Sequence, residues 1–403
     1  MRNWETTMSW LRVTDPSAAA RLVADSLVIH ADPHARATNP YHWYRTQPLT
    51  ERLARLAGDE DAAPFAPVAR RLLAAPERPE HPRALVAALI PMIEKFPERM
   101  RPLTDLAWQT TQRGRIGHHL GAAVGPDTPP SPPVPLPAAA PVPERTGVPG
   151  PAAQLVVPFR DGGGGGERLR NLLACLAALR DQDEVPGGYT VTVVEADREP
   201  RRRELIAPLA DEYLFAPHPG AFNKAWVVNA GVANSAVRAE TVCVFDADLL
   251  PDRGFVARSL ARFREPGVGA FLPYRDMLYL DEGSSIRAVH TRGPGGEPAL
   301  DPAALRGFWM RRPVGGCVWL TREVFDRIGG MDERYENWGG EDVDLVLRLQ
   351  SATALYAYDD FMVHLHHPVR PMRPEEARQN DEIPYMTWKP AGPIGRLDRY
   401  LAQ

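Results

Sequence analysis

Residues 126–151 set the first limit on this chain. The run PDTPPSPPVPLPAAAPVPERTGVPGP removes amide donors at short intervals, so no helix interior or central strand crosses it. Such a composition reads as a semi-rigid, extended spacer. It divides the 403 residues into a piece ending near 125 and a longer piece beginning at 152, and a chain of that length holds two or three domains.

The first piece reads as helical. Asp15-Pro16-Ser17 has the chemistry of a helix start, and Leu22, Val23, Leu27 and Val28 follow at helical spacing. Further helices are expected at 48–57, 64–75, 82–95 and 102–120, with Pro48, Pro64, Pro67, Pro82 and Pro102 near their starts. Together they predict a small all-helical domain over 1–125. The aromatic run Asn39 to Arg45, NPYHWYR, falls between helices. It is either core packing or a contact surface for an acceptor or partner.

From 153 the pattern alternates. QLVVPF is a buried strand, RDGGGGG a loop, and Leu169, Leu172, Leu173, Leu176 and Leu179 mark one helix face. YTVTVVEAD and TVCVFDAD are further strands, with helices at 221–236 and 252–265. This predicts an α/β domain with a Rossmann-like, mostly parallel sheet. Ligands of such sheets bind beyond the carboxyl ends of the strands. Those ends carry Arg160-Asp161, Glu195 with Asp197, and Asp246 with Asp248.

Composition removes other classes. The net charge of -4 argues against nucleic acid as the main partner. Three scattered cysteines, Cys175, Cys243 and Cys317, suggest free buried thiols in a reducing compartment. No run of eighteen apolar residues is present, and MRNWETTMSW lacks a signal-peptide core, so the expected location is cytoplasmic.

Three groups of residues have the chemistry of a site. Asp246-Ala247-Asp248 emerges directly from an apolar strand, and carboxylates suit Mg²⁺ or Mn²⁺ together with a diphosphate. His364, His366 and His367 supply imidazoles; the alternatives are a structural cluster or a zinc site of their own. In GGMDERYENWGGEDVDLVLRL, residues 329–349, Glu341-Asp342 opens an apolar helix behind a glycine bend. The positive helix end favours ionised carboxylates there, and an ionised carboxylate at a cleft can act as a general base. The plainer reading is an acidic cap.

The stretch IGGMDERYENWGGEDVDLVLRL resembles the C-terminal segment of GT-A glycosyltransferases, as found in β-1,4-galactosyltransferases, chondroitin-type polymerases and family-2 enzymes. The resemblance runs over about residues 153–370 and implies a GT-A domain at 152–375, with 376–403 as a C-terminal extension. By it, Asp342 is the catalytic base and Glu341 orients acceptor hydroxyls. Asp248 binds the metal, Mn²⁺ or Mg²⁺, and Asp246 reaches the ribose or sugar or joins the metal. His364 completes the metal site, with His366 as the alternative, although His364 and His367 keep the HxxH spacing. Pro158, Phe159, Arg160, Glu195 and Asp197 match positions that hold the donor nucleotide. Asn223 and Lys224 match a segment that reaches its phosphates or sugar, with Lys224 where relatives carry Arg. Gly315 and Gly316 match glycines that let the backbone approach the donor sugar, and Trp338 matches an acceptor-stacking position. The implied activity is metal-dependent transfer, with inversion, from a nucleotide diphosphate sugar, UDP-linked, to an unidentified acceptor. The alternative is a non-catalytic sugar or nucleotide binding module acting through the helical domain.

Overall fold

The computed structural model describes residues 15–58, 64–125, 150–162, 166–337, 339–368 and 380–401. In chain order the helices and strands of the first part are α1 (Pro16–Ala31), α2 (Pro33–Thr38), α3 (Pro40–Gly58), α4 (Ala66–Ala74), α5 (Glu80–Lys95), α6 (Pro97–Gly114) and β1 (Ile116–Leu120). Then follow β2 (Ala153–Phe159), α7 (Glu167–Arg180), β3 (Tyr189–Glu195), α8 (Arg203–Ile206), β4 (Glu212–Phe215), α9 (Lys224–Ala233), β5 (Thr241–Phe245) and β6 (Leu249–Leu250). The rest are α10 (Phe255–Arg262), β7 (Ala270–Leu272), β8 (Asp276–Leu280), α11 (Glu282–Thr291), β9 (Arg306–Arg311), β10 (Cys317–Thr321), α12 (Arg322–Arg327), α13 (Glu341–Ala352), β11 (Leu355–Ala357) and β12 (Val363–His364).

The chain forms two compact units. The first comprises residues 1–130 with 278–284 and 301–311. Asp15 caps α1 by accepting from the amides of Ser17 and Ala18, and Val23, Leu27 and Val28 are buried as their spacing predicts. Two details differ from the sequence reading. The helix expected to start at Pro48 starts at Pro40, so NPYHWYR lies on α3 and its approach rather than between helices. The helix expected over 102–120 stops at Gly114. Arg115 takes a left-handed φ of 53°, and Ile116 to Leu120 pair antiparallel with β9. That strand partner was invisible locally, because it lies far along the chain. Phe308 and Met310 of β9 complete the helical core.

The second unit comprises 131–277, 285–300 and 312–403. Its seven-stranded sheet has the order β11-β7-β10-β5-β2-β3-β4. The strands β5, β2, β3 and β4 are parallel, and β10 is antiparallel to both β5 and β7. This is the mixed, mostly parallel α/β sheet expected. Strand β2 is buried throughout, and all five marker leucines of α7 are buried. The proline-rich run 126–149, three of the five loop glycines (163–165) and Trp338 lie outside the described residues.

Candidate active site

The site grows from the end of β5. The register sets Phe245 opposite Cys317, and the Asp246 amide then donates to the Gly316 carbonyl at 2.8 Å. Two residues on, β6 pairs antiparallel with β12, placing His364 opposite Leu249, and the Leu365 amide donates to the Asp248 carbonyl at 2.8 Å. Backbone pairing therefore delivers the imidazoles to Asp248. His364 Nε2 lies 3.4 Å from Asp248 Oδ1, and His367 Nε2 lies 3.2 Å from Oδ2. These three residues offer ligand atoms within 4.8 Å of one another. His366 is not in this cluster: its backbone amide donates to Ser285, and its carbonyl accepts from Asn171. One carboxylate and two imidazoles form an N,O donor set of the kind that suits a divalent transition ion. Asp248 Oδ1 is buried without a hydrogen-bond partner, which fits an ion held there. Burial holds His364 down at about 4, in the neutral form that ligates. Burial opposes ionisation of Asp248, but the neighbouring imidazoles and Arg168 outweigh it and keep its pKa low.

Lys224 joins this cluster to the acidic pair. Its Nζ lies 2.8 Å from Asp246 Oδ1 and 3.1 Å from Asp342 Oδ1. Burial opposes its charge, yet Asp246, Asp342 and Glu341 raise its pKa well above the usual lysine value. Asp246 shares that one cation, and burial beside Asp342 and Asp248 pushes it up. Lys224 opens α9, whose N-cap is Asn223. The Asn223 carboxamide accepts from the Trp226 amide and donates to the Glu333 carbonyl and Tyr400 Oη. It is fully buried and occupied in holding the loop.

Glu341 and Asp342 open α13 behind Gly340, which has a φ of 100°. A Cβ on Gly340 would meet the Tyr335 ring at 2.4 Å, so only glycine fits. The sequence reading gave both carboxylates an ionised state. Glu341 departs from it: burial, reinforced by Asp342, pushes it up to about 8 against Lys224, and its Oε2 has no partner. Desolvation here exceeds what a helix end supplies. Gly315 makes room for Asp342 itself, since a Cβ there would stand 2.1 Å from Oδ2. The Gly315 carbonyl accepts from Tyr274 Oη at 2.8 Å.

The remaining candidates lie at the ends of β2 and β3. Pro158 and Phe159 are buried strand residues. Arg160 donates to the carbonyls of Gly220 and His218. Glu195 is buried and raised by that burial; it accepts from Tyr213 Oη and the Arg202 amide. Asp197 accepts from the Arg198 amide. Neither the Lys224 bridge nor the Arg202–Asp161 pair was read from the sequence. Contacts between distant segments leave no local signal, whereas the HxxH spacing did contain His367.

Residues 305–366 match the family model described as the N-terminal domain of galactosyltransferase. Over 217 residues the chain is 26% identical to pre-mycofactocin glycosyltransferase of Mycobacterium tuberculosis, covering 53% of this chain and 42% of that protein. Over 131 residues it is 26% identical to beta-1,4-galactosyltransferase 7 of Drosophila melanogaster, covering 32% of this chain and 31% of that protein. The chain thus spans less than half the length of these curated relatives. Among solved structures, a mannosyltransferase from Pyrobaculum calidifontis in complex with GDP-Man and Mn²⁺ aligns with a TM-score of 0.37 and 16% identity, covering 55% of this chain and 59% of that one. The segment singled out at 328–349 falls inside the matched family model. By these sequence matches the chain is a relative of the glycosyltransferases, and residues 305–366 carry its galactosyltransferase-type segment.

Proposed function

We propose that this chain transfers a sugar from a nucleotide diphosphate sugar, UDP-linked, to an acceptor hydroxyl or other nucleophile, with inversion. The observation that carries the reading is the Lys224 bridge, which joins Asp342 to Asp246, two residues before the Asp248 of the Asp248, His364 and His367 donor set. A Mn²⁺ or Mg²⁺ held by those three residues would neutralise charge on the departing diphosphate. Asp342 takes the proton from the acceptor hydroxyl as its oxygen bonds to the anomeric carbon. The bond to the diphosphate oxygen breaks in the same displacement, and its electron pair leaves with the nucleoside diphosphate. Lys224 fixes the Asp342 carboxylate through both oxygens. Glu341, protonated near neutral pH, donates a hydrogen bond to an acceptor oxygen rather than repelling it. Gly315 keeps space beside the Asp342 carboxylate. Arg160, Glu195 and Asp197 stand at the strand ends where the donor nucleoside is expected.

The test is a hydrolysis and transfer screen over UDP- and GDP-sugars with Mn²⁺ or Mg²⁺, repeated in EDTA and with Asp342→Asn. The expected result is turnover that needs metal and Asp342, with nucleotide binding surviving in the variant. Normal turnover by Asp342→Asn would remove the base, and full activity in EDTA would remove the metal role. Metal-dependent UDP binding without turnover on any donor and acceptor would favour the binding-module reading.

A further inference from the structure

The sugar-transfer reading leaves the aromatic run of the first unit unused. Tyr41, Tyr44, Arg45, Pro48 and Arg52 are all exposed and recur at i, i+3, i+4, i+7 and i+11, so they share one face of α3. The opposite face, with Thr46, Thr50, Leu53 and Ala57, is buried in the helical core. Two large rings, 49% and 46% exposed, stand on this outer face. The Arg36 guanidinium lies over the Tyr44 ring at 5.1 Å, and that of Arg45 over Tyr41 at 5.5 Å. Cation–π stacking orders both cations, and Arg45 also donates to Tyr41 Oη at 3.5 Å, leaving the rest of its donor edge open. Among the described residues no ion pair involves Arg36, Arg45 or Arg52. Between residues 36 and 58 the single acid is Glu51, and it accepts from Gln47. Burial is the largest cause holding the His42 pKa down at about 4, and the charges of Arg115 and Arg45 act in the same direction.

We propose that this face of α3 is a docking surface for an acidic protein segment. Charge complementarity selects an anionic occupant, because Arg45 and Arg52 on this face, and Arg36 of α2 beside it, form no ion pair among the described residues of a chain whose net charge is -4. Sugar stacking is disfavoured on the face of each ring where a guanidinium already lies. A lipid surface is disfavoured, since the apolar face that would enter the bilayer is committed to the core. From Tyr41 to Arg52 the face runs about 16 Å, the length of roughly five extended residues. Tyrosine and arginine are the residue types that dominate such contacts energetically.

The experiment uses the full chain and a fluorescein-labelled hexaglutamate peptide, followed by anisotropy in metal-free buffer at low and high salt. Salt-sensitive binding is expected, weakened about tenfold or more by Arg45→Glu with Arg52→Glu. Tyr44→Ala removes no charge but frees Arg36, and is expected to weaken binding a few-fold. Circular dichroism confirms that these surface variants stay folded. Three results would overturn the proposal: no binding, binding unchanged in both variants, or tighter binding to oligo-dT or phosphatidylserine vesicles than to the peptide. None bears on sugar transfer, which is measured separately.

Discussion

Lys224 stands between two carboxylates that have no other cation within bonding distance among the described residues. Replacing it with Met leaves Asp246 and Asp342 facing each other in a largely buried setting. Losing one member of such a group costs about 3–5 kcal/mol. Lys224→Met is therefore expected to lower stability by that order in urea unfolding and to abolish transfer, while Lys224→Arg recovers much of the stability. Glu341 gives a pH dependence of definite sign. Its pKa is about 8 in the fold against an ordinary 4.5, so between those values the folded chain keeps a proton that the unfolded chain has released. Its stabilising effect is complete below about 4.5 and is lost as pH rises through about 8. Unfolding midpoints measured at about pH 5 and pH 8 should fall with pH, and Glu341→Gln should flatten that fall. The residue types at 341 and 342 were legible in the sequence; the protonation of Glu341 was not, because it depends on how completely the fold dehydrates it.

Elements carry these side chains to their places. Helix α9 is bound to the loop before α13 by Asn229, whose Oδ1 accepts from the Met331 amide at 2.8 Å. Its Nδ2 donates to the Met331 carbonyl and to Glu333 Oε1, both at 2.9 Å. Asn229→Ala strands these buried groups and is expected to cost about 3 kcal/mol in chemical denaturation. The strands β2, β3 and β5 were legible because they are short, valine-rich runs buried on both faces. Helix α7 was legible because its leucines share one face. The two-residue strand β12 was not: a pairing that short has no periodicity, and only the fold shows that it brings His364 to Asp248.

At the scale of the molecule, residues 380–401 are bound closely to the second unit. The Trp388 indole donates to the Gly329 carbonyl, the Met386 amide to buried Asp344, and the Gly395 amide to Glu333. Asn380 holds the carbonyl of Gly339, next to the glycine that opens α13. Tyr400 stacks on His218 at 3.8 Å. Deleting 380–403 is expected to lower the unfolding temperature markedly and to abolish transfer even though it removes neither the acidic pair nor the histidines; thermal unfolding and the donor screen check it.

The first unit is discontinuous in sequence, and β1 has its partner in β9. A ribosome releases residues 15–120 long before it has made Phe308 and Met310. Until the chain has grown past residue 311, the helical core lacks the side chains of Phe308 and Met310 and β1 lacks its partner strand.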